Sequence, residues 1–408
     1  MVLQLGLYFV IAHKIDPSDL GHYFLASTLI FIPIGILEFG FVSSIIQKNE
    51  INNDDYNAVF QLNLKSIFIY LSLGLLATIL LAWYYETPHL WKYYMMLSPL
   101  LICTSYNSVQ NAGLKRALLT KRFATIEIAG MLTVVAFTLV LLYAGYGIEA
   151  VIAGQVARGI VVMISLKVFG RQFRISRKKD TELTQYHWDY GKYIIGEKVM
   201  GIGLAQADVF LVHHFLGAHT LGIYDMMKRM ILRPVVAAYS AMEHVTFPLL
   251  SRAVEKPKEY SRLFSSIIRT NYIFFLSFAL IFIAEWVLSF FPVVYQEQIM
   301  LFRLLIILSV TIVILNPVDI IAYGLDLTKR YFNWVLLYGI VQLLAMAFSL
   351  ALGLEQFIFT MIGFNILVYV LSYFVIARPK TEINLWQWVE PVVIFVLVCL
   401  VTYYILVI

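Results

Sequence analysis

Charged side chains inside long apolar runs carry the clearest chemistry in this sequence. Asp225, Lys228, Arg229 and Arg233 all fall within the run 221–249. A charge near the middle of a bilayer costs roughly 2.5–3.5 kcal/mol on insertion scales, so it usually faces a polar cavity or a partner. At about 100° per residue, these side chains share one half of a helix, opposite Met, Ile, Leu and Val. The pattern predicts the charged lining of a cavity.

Other charges within the runs extend this set, and some of them have a structural alternative. Arg158 and Arg233 lie near the middle of their runs by helical rise, which favours a cavity role. Asp225 and Arg229 are spaced i,i+4 and can instead neutralise each other. Lys198 is close to a predicted membrane surface and can extend its amine to that surface. The sequence leaves both interpretations open for these residues.

The composition places these charges in a membrane protein. The chain of 408 residues is 61% hydrophobic and 13% charged, with a mean hydropathy of +0.81, whereas soluble domains carry roughly 25% charged residues. Apolar runs of about 20 residues, the length that crosses a bilayer, recur along the whole chain. Backbone groups in lipid must be satisfied within their own segment, and runs such as VVAFTLVLLYAG do not alternate. Each run is therefore predicted to be a helix.

Thirteen apolar runs and their loops predict a topology. The runs are 1–12, 22–46, 60–83, 92–113, 124–143, 148–169, 191–216, 221–249, 264–290, 298–323, 334–353, 356–377 and 389–407. Alternate loops hold most of the Lys and Arg residues, as short cytoplasmic loops do. We expect a multi-pass protein of the cytoplasmic membrane with a cytoplasmic N-terminus and an outer C-terminus. The net charge of +5 belongs to these loops and does not indicate nucleic-acid binding.

An internal repeat divides the chain. Residues 20–33 and 221–234 both begin Leu-Gly-x-Tyr and end in proline, and ALLTKRF at 117–123 resembles LDLTKRY at 325–331. The first six runs thus correspond to the next six, in the parallel-repeat arrangement of some transporters. The predicted domains are an N-terminal six-helix lobe at 1–169 with a clipped first helix, a basic cytoplasmic linker at 170–190, a C-terminal six-helix lobe at 191–377 and an extra transmembrane helix at 378–408.

The sequence does not indicate soluble-enzyme chemistry. It contains no P-loop, and therefore no ATPase motor of that type. Seven histidines, at 13, 22, 89, 213, 214, 219 and 244, show no metal-ligand spacing, and we expect His213 and His214 to mark a wetted helix end. No Ser/His/Asp or paired-carboxylate arrangement is recognisable. We predict that the protein is not an enzyme and uses no metal or other cofactor.

Two long stretches resemble one family. DLGHYFLASTLIFIPIGILEFGFVSSIIQK at 19–48 is similar to the second-helix region of Wzx-type polysaccharide transporters, which belong to the MOP flippase superfamily. The stretch 196–252 resembles the seventh and eighth helices of that family through the spacing of Asp208, Phe-Leu-Gly at 215–217 and Phe-Pro-Leu-Leu-Ser at 247–251. The likeness covers most of the chain and is closest to the colanic-acid-type branch. The short first helix and the odd number of runs depart from the family pattern.

The resemblance implies an all-α fold of two MATE-like six-helix lobes and a flippase for undecaprenyl-diphosphate-linked oligosaccharide. The implied partners are lipid-linked oligosaccharide, membrane lipids, H+ or Na+, and polysaccharide polymerase or export machinery. Arginine binds phosphate oxygens in bidentate fashion. The substrate-binding candidates are Arg158, Arg233, Arg229, Lys228 and Lys198. The ion-coupling candidates are Glu197, Asp208, Asp225, Glu243 and Glu38.

Three alternatives stay open at the level of sequence. A multidrug or cation exporter of the same superfamily would favour an acidic cavity. A membrane-embedded polysaccharide polymerase or glycosyltransferase would favour a large outer loop with catalytic groups, whereas every outer loop is short. A scaffold without transport activity would not explain arginines near the membrane midplane.

Overall fold

The computed structural model describes residues 2–48, 50–170, 180–253, 257–315, 318, 321–322, 325, 327–378 and 381–407. The first helices are α1 (Val2–Lys14), α2 (Pro17–Phe39), α3 (Val42–Gln47), α4 (Asn53–Tyr84), α5 (His89–Leu97), α6 (Pro99–Arg116), α7 (Thr120–Tyr143) and α8 (Ile148–Ser165) with a π-helix (Leu166–Gly170). Of the predicted linker 170–190, residues 171–179 lie outside the described residues. The later helices are α9 (Thr181–Ala253), α10 (Pro257–Asn271) with a 3-10 helix (Tyr272–Phe278), α11 (Ala279–Phe282), α12 (Ala284–Leu288), α13 (Val293–Gln296), α14 (Ile299–Leu315), α15 (Thr328–Leu350), α16 (Leu354–Ser372) with a π-helix (Tyr373–Ala377), and α17 (Leu385–Val407).

These helices confirm the predicted all-α polytopic membrane fold. Among the described residues, nine helices are long and apolar enough to cross a membrane. The predicted runs 191–216 and 221–249 both belong to α9, which is broken between them at Gly217, whose φ of 80° and ψ of 174° are not helical. Large apolar side chains on α4, such as Phe68 (72% exposed) and Trp83 (81% exposed), form the kind of surface that lipid covers.

The chain divides into two compact units. Unit 1 comprises Met1–His213 and Gly217–Gly222, and unit 2 comprises His214–Leu216 and Ile223–Ile408. Most of the first half of α9 therefore groups with the helices that precede it. The domain boundaries predicted from the repeat begin the second lobe at residue 191, which is a different division, and they stay a prediction.

A buried carboxylate joins three segments of unit 1. Asp55, 1% exposed, accepts hydrogen bonds from the backbone N–H of Asn52 and from Lys48 Nζ. His187, near the start of α9, is fully buried; its Nε2 donates to Asp55 Oδ1 over 3.0 Å, and its Nδ1 lies 2.6 Å from Ser44 Oγ. A buried charge is tolerated when it is paired and hydrogen-bonded. This carboxylate therefore holds α3, α4 and α9 together.

The loops of unit 1 lie at its two ends. At one end, Arg116 Nη1 donates to the carbonyl oxygens of Ile45 (2.8 Å) and Ile46 (3.3 Å), in the last turn of α3. At the other end, Lys92 Nζ lies 3.0 Å from Glu149 Oε1. Two of the loops with the Lys and Arg excess, which follow α3 and α6, thus meet at one end; the membrane orientation expected from the sequence stays a prediction.

The repeated Leu-Gly-x-Tyr segments make a close backbone contact. A Cβ on Gly21 would lie 1.9 Å from the carbonyl oxygen of Ala218, and a Cβ on Gly222 would lie 1.8 Å from that of Pro17. Real Cβ atoms essentially never approach an atom within 3.0 Å, so both positions require a residue without a side chain. The first turns of α2 therefore pack directly on the backbone of residues 217–222.

An indole ring anchors the last helix in unit 2. Trp388 of α17 is fully buried and stacks on Phe264 of α10 at 5.4 Å and on Tyr369 of α16 at 5.1 Å between ring centroids. Its Nε1 donates to the carbonyl oxygen of Tyr369 over 2.9 Å. Aromatic pairs contribute about 0.5–1.5 kcal/mol beyond their buried area. The helix without a counterpart in the repeat is thus an integral part of unit 2.

Alanine at Gly222 should destabilise unit 1, because its methyl group would meet a main-chain carbonyl. We expect Gly222→Ala to lower the free energy of unfolding by about 1–3 kcal/mol, as overpacking does, measured as a lower melting temperature of the purified protein in detergent. Gly203→Ala, on the same helix with nothing described within 4 Å of its Cβ, should leave melting unchanged or raise it. Equal melting temperatures of the two variants would contradict the contact.

Removal of the Asp55 carboxylate should destabilise unit 1 more than Gly222→Ala does. Breaking a buried charge pair costs about 3–5 kcal/mol, so Asp55→Ala should strongly reduce the amount of folded protein in membranes and its melting temperature. Glu50→Gln removes an exposed carboxylate from the adjoining loop and serves as the control. If Asp55→Ala melts like the wild type, unit 1 does not depend on the network.

Candidate substrate-binding cavity

A polar cavity of about 340 Å³ lies within unit 1 among α2, α3, α6, α7 and α8. Its charged lining residues are Glu38, Lys115, Glu127 and Arg158. Lys115 and Ile46 lie near the end of the unit where the basic loops meet, so the cavity extends toward that end. Charges within a membrane-spanning bundle are a functional-site signal. Of the predicted residues, the structure brings Glu38 and Arg158 together here.

Arg158 lies against α7 at the cavity wall. Its Nη2 is 2.8 Å from Glu127 Oε2, and the two side chains are 44% and 33% exposed. Gly130 makes room for the arginine, since a Cβ there would lie 3.3 Å from Arg158 Cγ and 2.6 Å from Val162 Cγ2. A pair that remains this open is weak. The guanidinium is therefore accessible to another anion.

Hydrogen-bonding groups accompany the arginine in the cavity. Asn111 Oδ1 is buried and has no hydrogen-bond partner among the described residues, although buried acceptors are normally satisfied. Ser108, also in the lining, receives a hydrogen bond from Asn63 Nδ2 at its Oγ over 3.2 Å. The cavity thus offers a cation to an anionic group and an acceptor to a hydroxyl or amide donor.

The charged residues in the second half of α9 belong to unit 2 and are partly paired. Arg229 Nε lies 2.5 Å from Asp225 Oδ2, and Asp225 is 3% exposed. The i,i+4 pairing that the sequence left open is therefore present. Lys228 Nζ lies 5.5 Å from the ring centroid of Tyr224, and the Arg233 side chain is exposed. The roles predicted for these residues stay predictions.

The remaining candidates also lie on α9. Asp208 is 5% exposed, and its Oδ1 accepts a hydrogen bond from the N–H of Val209 over 3.0 Å. Lys198 is half-buried. The side chains of Glu197 and Glu243 lie outside the described residues. Nothing in these positions tests the substrate-binding or ion-coupling roles predicted for them.

The sequence predicts that His213 and His214 mark a wetted helix end, and this prediction is wrong for His213. His213 is 4% exposed and packs edge-on against Tyr85 at 4.4 Å between ring centroids. His214 is exposed, as expected. Aromatic packing therefore makes His213 a core residue.

A Ser/His/Asp chain, which the sequence analysis did not recognise, is present in the network around Asp55. Ser44, His187 and Asp55 are each at most 1% exposed, and Ser44 Oγ donates to the carbonyl oxygen of Phe41 over 2.5 Å. A nucleophile must reach its substrate, whereas this hydroxyl is enclosed. The arrangement is structural. No local sequence pattern marks it, because 143 positions separate Ser44 from His187, which lies outside the apolar runs.

The sequence matches a known protein family and two named relatives. Residues 10–298 match the family model described as polysaccharide biosynthesis protein. The amylovoran biosynthesis protein AmsL of Erwinia amylovora is 25% identical over 252 residues, 60% of this chain and 63% of its own length. The teichuronic acid biosynthesis protein TuaB of Bacillus subtilis is 19% identical over 221 residues, 53% of this chain and 45% of its own length. The chain thus spans less than two thirds of either relative.

Solved structures share the fold. An inward-facing multidrug resistance transporter of the MATE family, in the MOP superfamily, has a TM-score of 0.70 at 13% identity, with 93% of this chain and 95% of that chain covered. The lipid II flippase MurJ in an inward closed conformation has a TM-score of 0.65 at 13% identity, with 99% and 96% covered. A MOP superfamily transporter from Pyrococcus furiosus has a TM-score of 0.63 at 13% identity, with 91% and 90% covered. At this identity the likeness establishes the fold alone.

The family and the fold confirm the resemblance predicted from the sequence. These structural neighbours are transporters and a flippase rather than enzymes. Since the family model covers more than half of the sequence, the chain belongs to the polysaccharide biosynthesis protein family, as a multi-pass membrane protein with the fold of MOP superfamily transporters.

Proposed function

We propose that this protein flips undecaprenyl-diphosphate-linked oligosaccharide across the cytoplasmic membrane by alternating access. Family membership and the fold shared with a lipid II flippase support this function. The substrate combines a diphosphate, a polar glycan and a long lipid tail. It therefore needs a cation, hydrogen-bonding groups and access to the bilayer. Polysaccharide polymerase or export machinery would act beside this protein.

The cavity of unit 1 is the observation that carries the proposal. Arg158 supplies a planar guanidinium that can bind phosphate oxygens in bidentate fashion. Asn111 Oδ1, the buried acceptor, suits a sugar hydroxyl. A volume of about 340 Å³ is at the lower end for ligand sites, which span roughly 300–1,000 Å³. We therefore assign the diphosphate and its nearest sugar to this cavity and leave the rest of the glycan outside it.

Ion coupling is proposed at the carboxylates of the same cavity. When the diphosphate takes Arg158, Glu127 loses its partner, and H+ or Na+ can then neutralise the free carboxylate. Glu38 lines the same wall and can share the cation. Loading of substrate and loading of cation would thus be linked. Asp208 is the alternative coupling residue, because its carboxylate is buried on α9.

The proposed orientation puts the N-terminus and the basic loops in the cytoplasm. The cavity would then load from the cytoplasmic side, because it extends toward the end where those loops meet. Labelling of an introduced cysteine at 177–179, but not at 85–88, by a membrane-impermeant thiol reagent in whole cells would reverse this orientation.

Replacement of Arg158 tests the site. In liposomes with a fluorescent undecaprenyl-diphosphate-linked sugar, Arg158→Ala should slow flipping about 10- to 100-fold, equivalent to the loss of a charge-assisted hydrogen bond of about 1.5–3 kcal/mol. Arg158→Lys should recover part of the rate, since it keeps the charge and loses the bidentate fork. Lys167→Ala removes an exposed cation from the continuation of α8 and is the matched control. Normal flipping by Arg158→Ala would exclude the cavity from the mechanism.

Glu127→Gln distinguishes an exchangeable pair from a structural one. It removes the carboxylate and keeps the arginine, so flipping down a substrate gradient should persist while stimulation by an imposed proton or sodium gradient is lost. A purely structural pair would instead lose folded protein in Glu127→Gln and Arg158→Ala alike. If stimulation by the gradient survives in Glu127→Gln, the coupling role would have to be assigned to Glu38 or Asp208.

Transport of organic cations without any flipping would favour the multidrug exporter alternative.

A further inference from the structure

A second cavity, of about 810 Å³, lies in unit 2 between α10 and α17 and has no part in the proposed transport step. Lys258, Arg262 and Arg269 line it, together with a single carboxylate from Glu390. The lining therefore carries net positive charge. Such a concentration of cations along one helix raises the local concentration of anions.

The helix α10 has an apolar and a polar side. Tyr260, Phe264 and Ile268 are at most 2% exposed and face the core of unit 2. On the other side, the hydroxyls of Ser265 and Thr270 join the cations in the cavity wall. This helix belongs to a segment long and apolar enough to cross a membrane. Its polar side therefore needs water or a polar ligand, because lipid chains cannot satisfy it.

Hydrogen bonds fix the cavity between the two helices. Ser261 Oγ donates to Gln387 Oε1 over 3.1 Å, which connects α10 to the first turn of α17. Gln387 Oε1 also accepts from the backbone N–H of Asn384 over 3.0 Å, and the N–H of Gln387 donates to Asn384 Oδ1 over 2.7 Å. The N-terminal turn of α17 is thus capped at the cavity, and its partial positive charge adds to that of the side chains.

The cations of the cavity are incompletely neutralised. Arg269 Nε lies 3.5 Å from Glu390 Oε1, and the arginine is 67% exposed, so the pair is loose. Lys258 and Arg262 have exposed side chains and no acidic partner within the part of the chain that the structure describes. The ammonium of Lys258 and the guanidinium of Arg262 are therefore both available to one anion.

An apolar surface continues from this cavity along α17. Trp386 lines the cavity and is 65% exposed, and Leu397, Leu400 and Val401 are 54%, 60% and 57% exposed. By helical spacing these four side chains lie on one side of the helix. Tryptophan also prefers the boundary between headgroups and acyl chains. A ligand that matches both surfaces has an anionic head and an apolar tail.

We propose that this cavity binds the phosphate headgroup of an anionic membrane lipid, whose acyl chain lies along α17. Arg262 and Lys258 donate to the phosphate oxygens, and the hydroxyl of Ser266, which also lines the cavity, adds a further donor. Arg269 joins them when the phosphate displaces Glu390. The site is separate from the cavity of unit 1 and takes a lipid of the surrounding leaflet rather than the transported substrate.

Brominated lipids test this site, because bromine on an acyl chain quenches a nearby indole. The full-length protein is reconstituted in dioleoylphosphatidylcholine vesicles that contain either dibrominated phosphatidylglycerol or dibrominated phosphatidylcholine, and the signal of Trp386 is isolated by subtraction of Trp386→Phe. Half-quenching should require about tenfold less of the anionic lipid, as expected for one charge-assisted hydrogen bond. Arg262→Gln should remove most of this preference and Arg262→Lys should keep part of it. Arg330→Gln, which removes an exposed cation elsewhere in unit 2, should keep all of it.

Each alternative outcome has a defined meaning. Equal quenching by the two brominated lipids in the wild type would overturn the proposal, as would an undiminished preference in Arg262→Gln. Inorganic diphosphate added to the same vesicles distinguishes a lipid headgroup from a soluble anion. Quenching by phosphatidylglycerol should survive this addition; displacement of the lipid would overturn the lipid assignment in favour of a soluble phosphate compound.

Discussion

The carboxylate of Asp55 is the constraint on which unit 1 depends. It is enclosed by protein, so the structure must supply it with a cation and hydrogen-bond donors. Those partners come from Lys48, from the cap of α4 and from His187 on α9. The end of α3 is fixed in this way, and Ile46 on that helix borders the cavity of unit 1. A charge that takes no part in the proposed chemistry thus positions one wall of the candidate site.

Exposure separates two kinds of hydrogen-bonded polar pair in this protein. Asp55 and His187 are buried, and loss of either would leave one buried polar atom of the other without its hydrogen bond. Arg158 and Glu127 keep 44% and 33% of their side-chain surface open, so water or a ligand can take over when they separate. The first pair can only be kept or broken. The second leaves the guanidinium accessible to a competing anion, as the proposed transport of a diphosphate requires.

The predictable part of the structure follows from constraints that act within one segment. Lipid forces each apolar run into a helix, and a charge in mid-run is costly outside a cavity, which is why the sequence predicts that Arg158 lines a cavity. The undetermined part depends on contacts between segments. The i,i+4 spacing in the sequence allows Asp225 to pair with Arg229, but it does not show whether the pair forms. His187 has its acid 132 positions away, and His213 is covered by Tyr85, which no local pattern signals.

The contact between the two Leu-Gly-x-Tyr segments limits how the two similar segments can diverge. Two such segments can normally accumulate substitutions independently. Here the space left by Gly21 is filled by the backbone of residue 218, and the space left by Gly222 is filled by the backbone of Pro17. A side chain gained by one copy cannot be accommodated by a smaller side chain in the other, because the atoms in the way are main-chain carbonyls. Both halves must therefore retain the glycine, while the rest of each segment remains free to specialise.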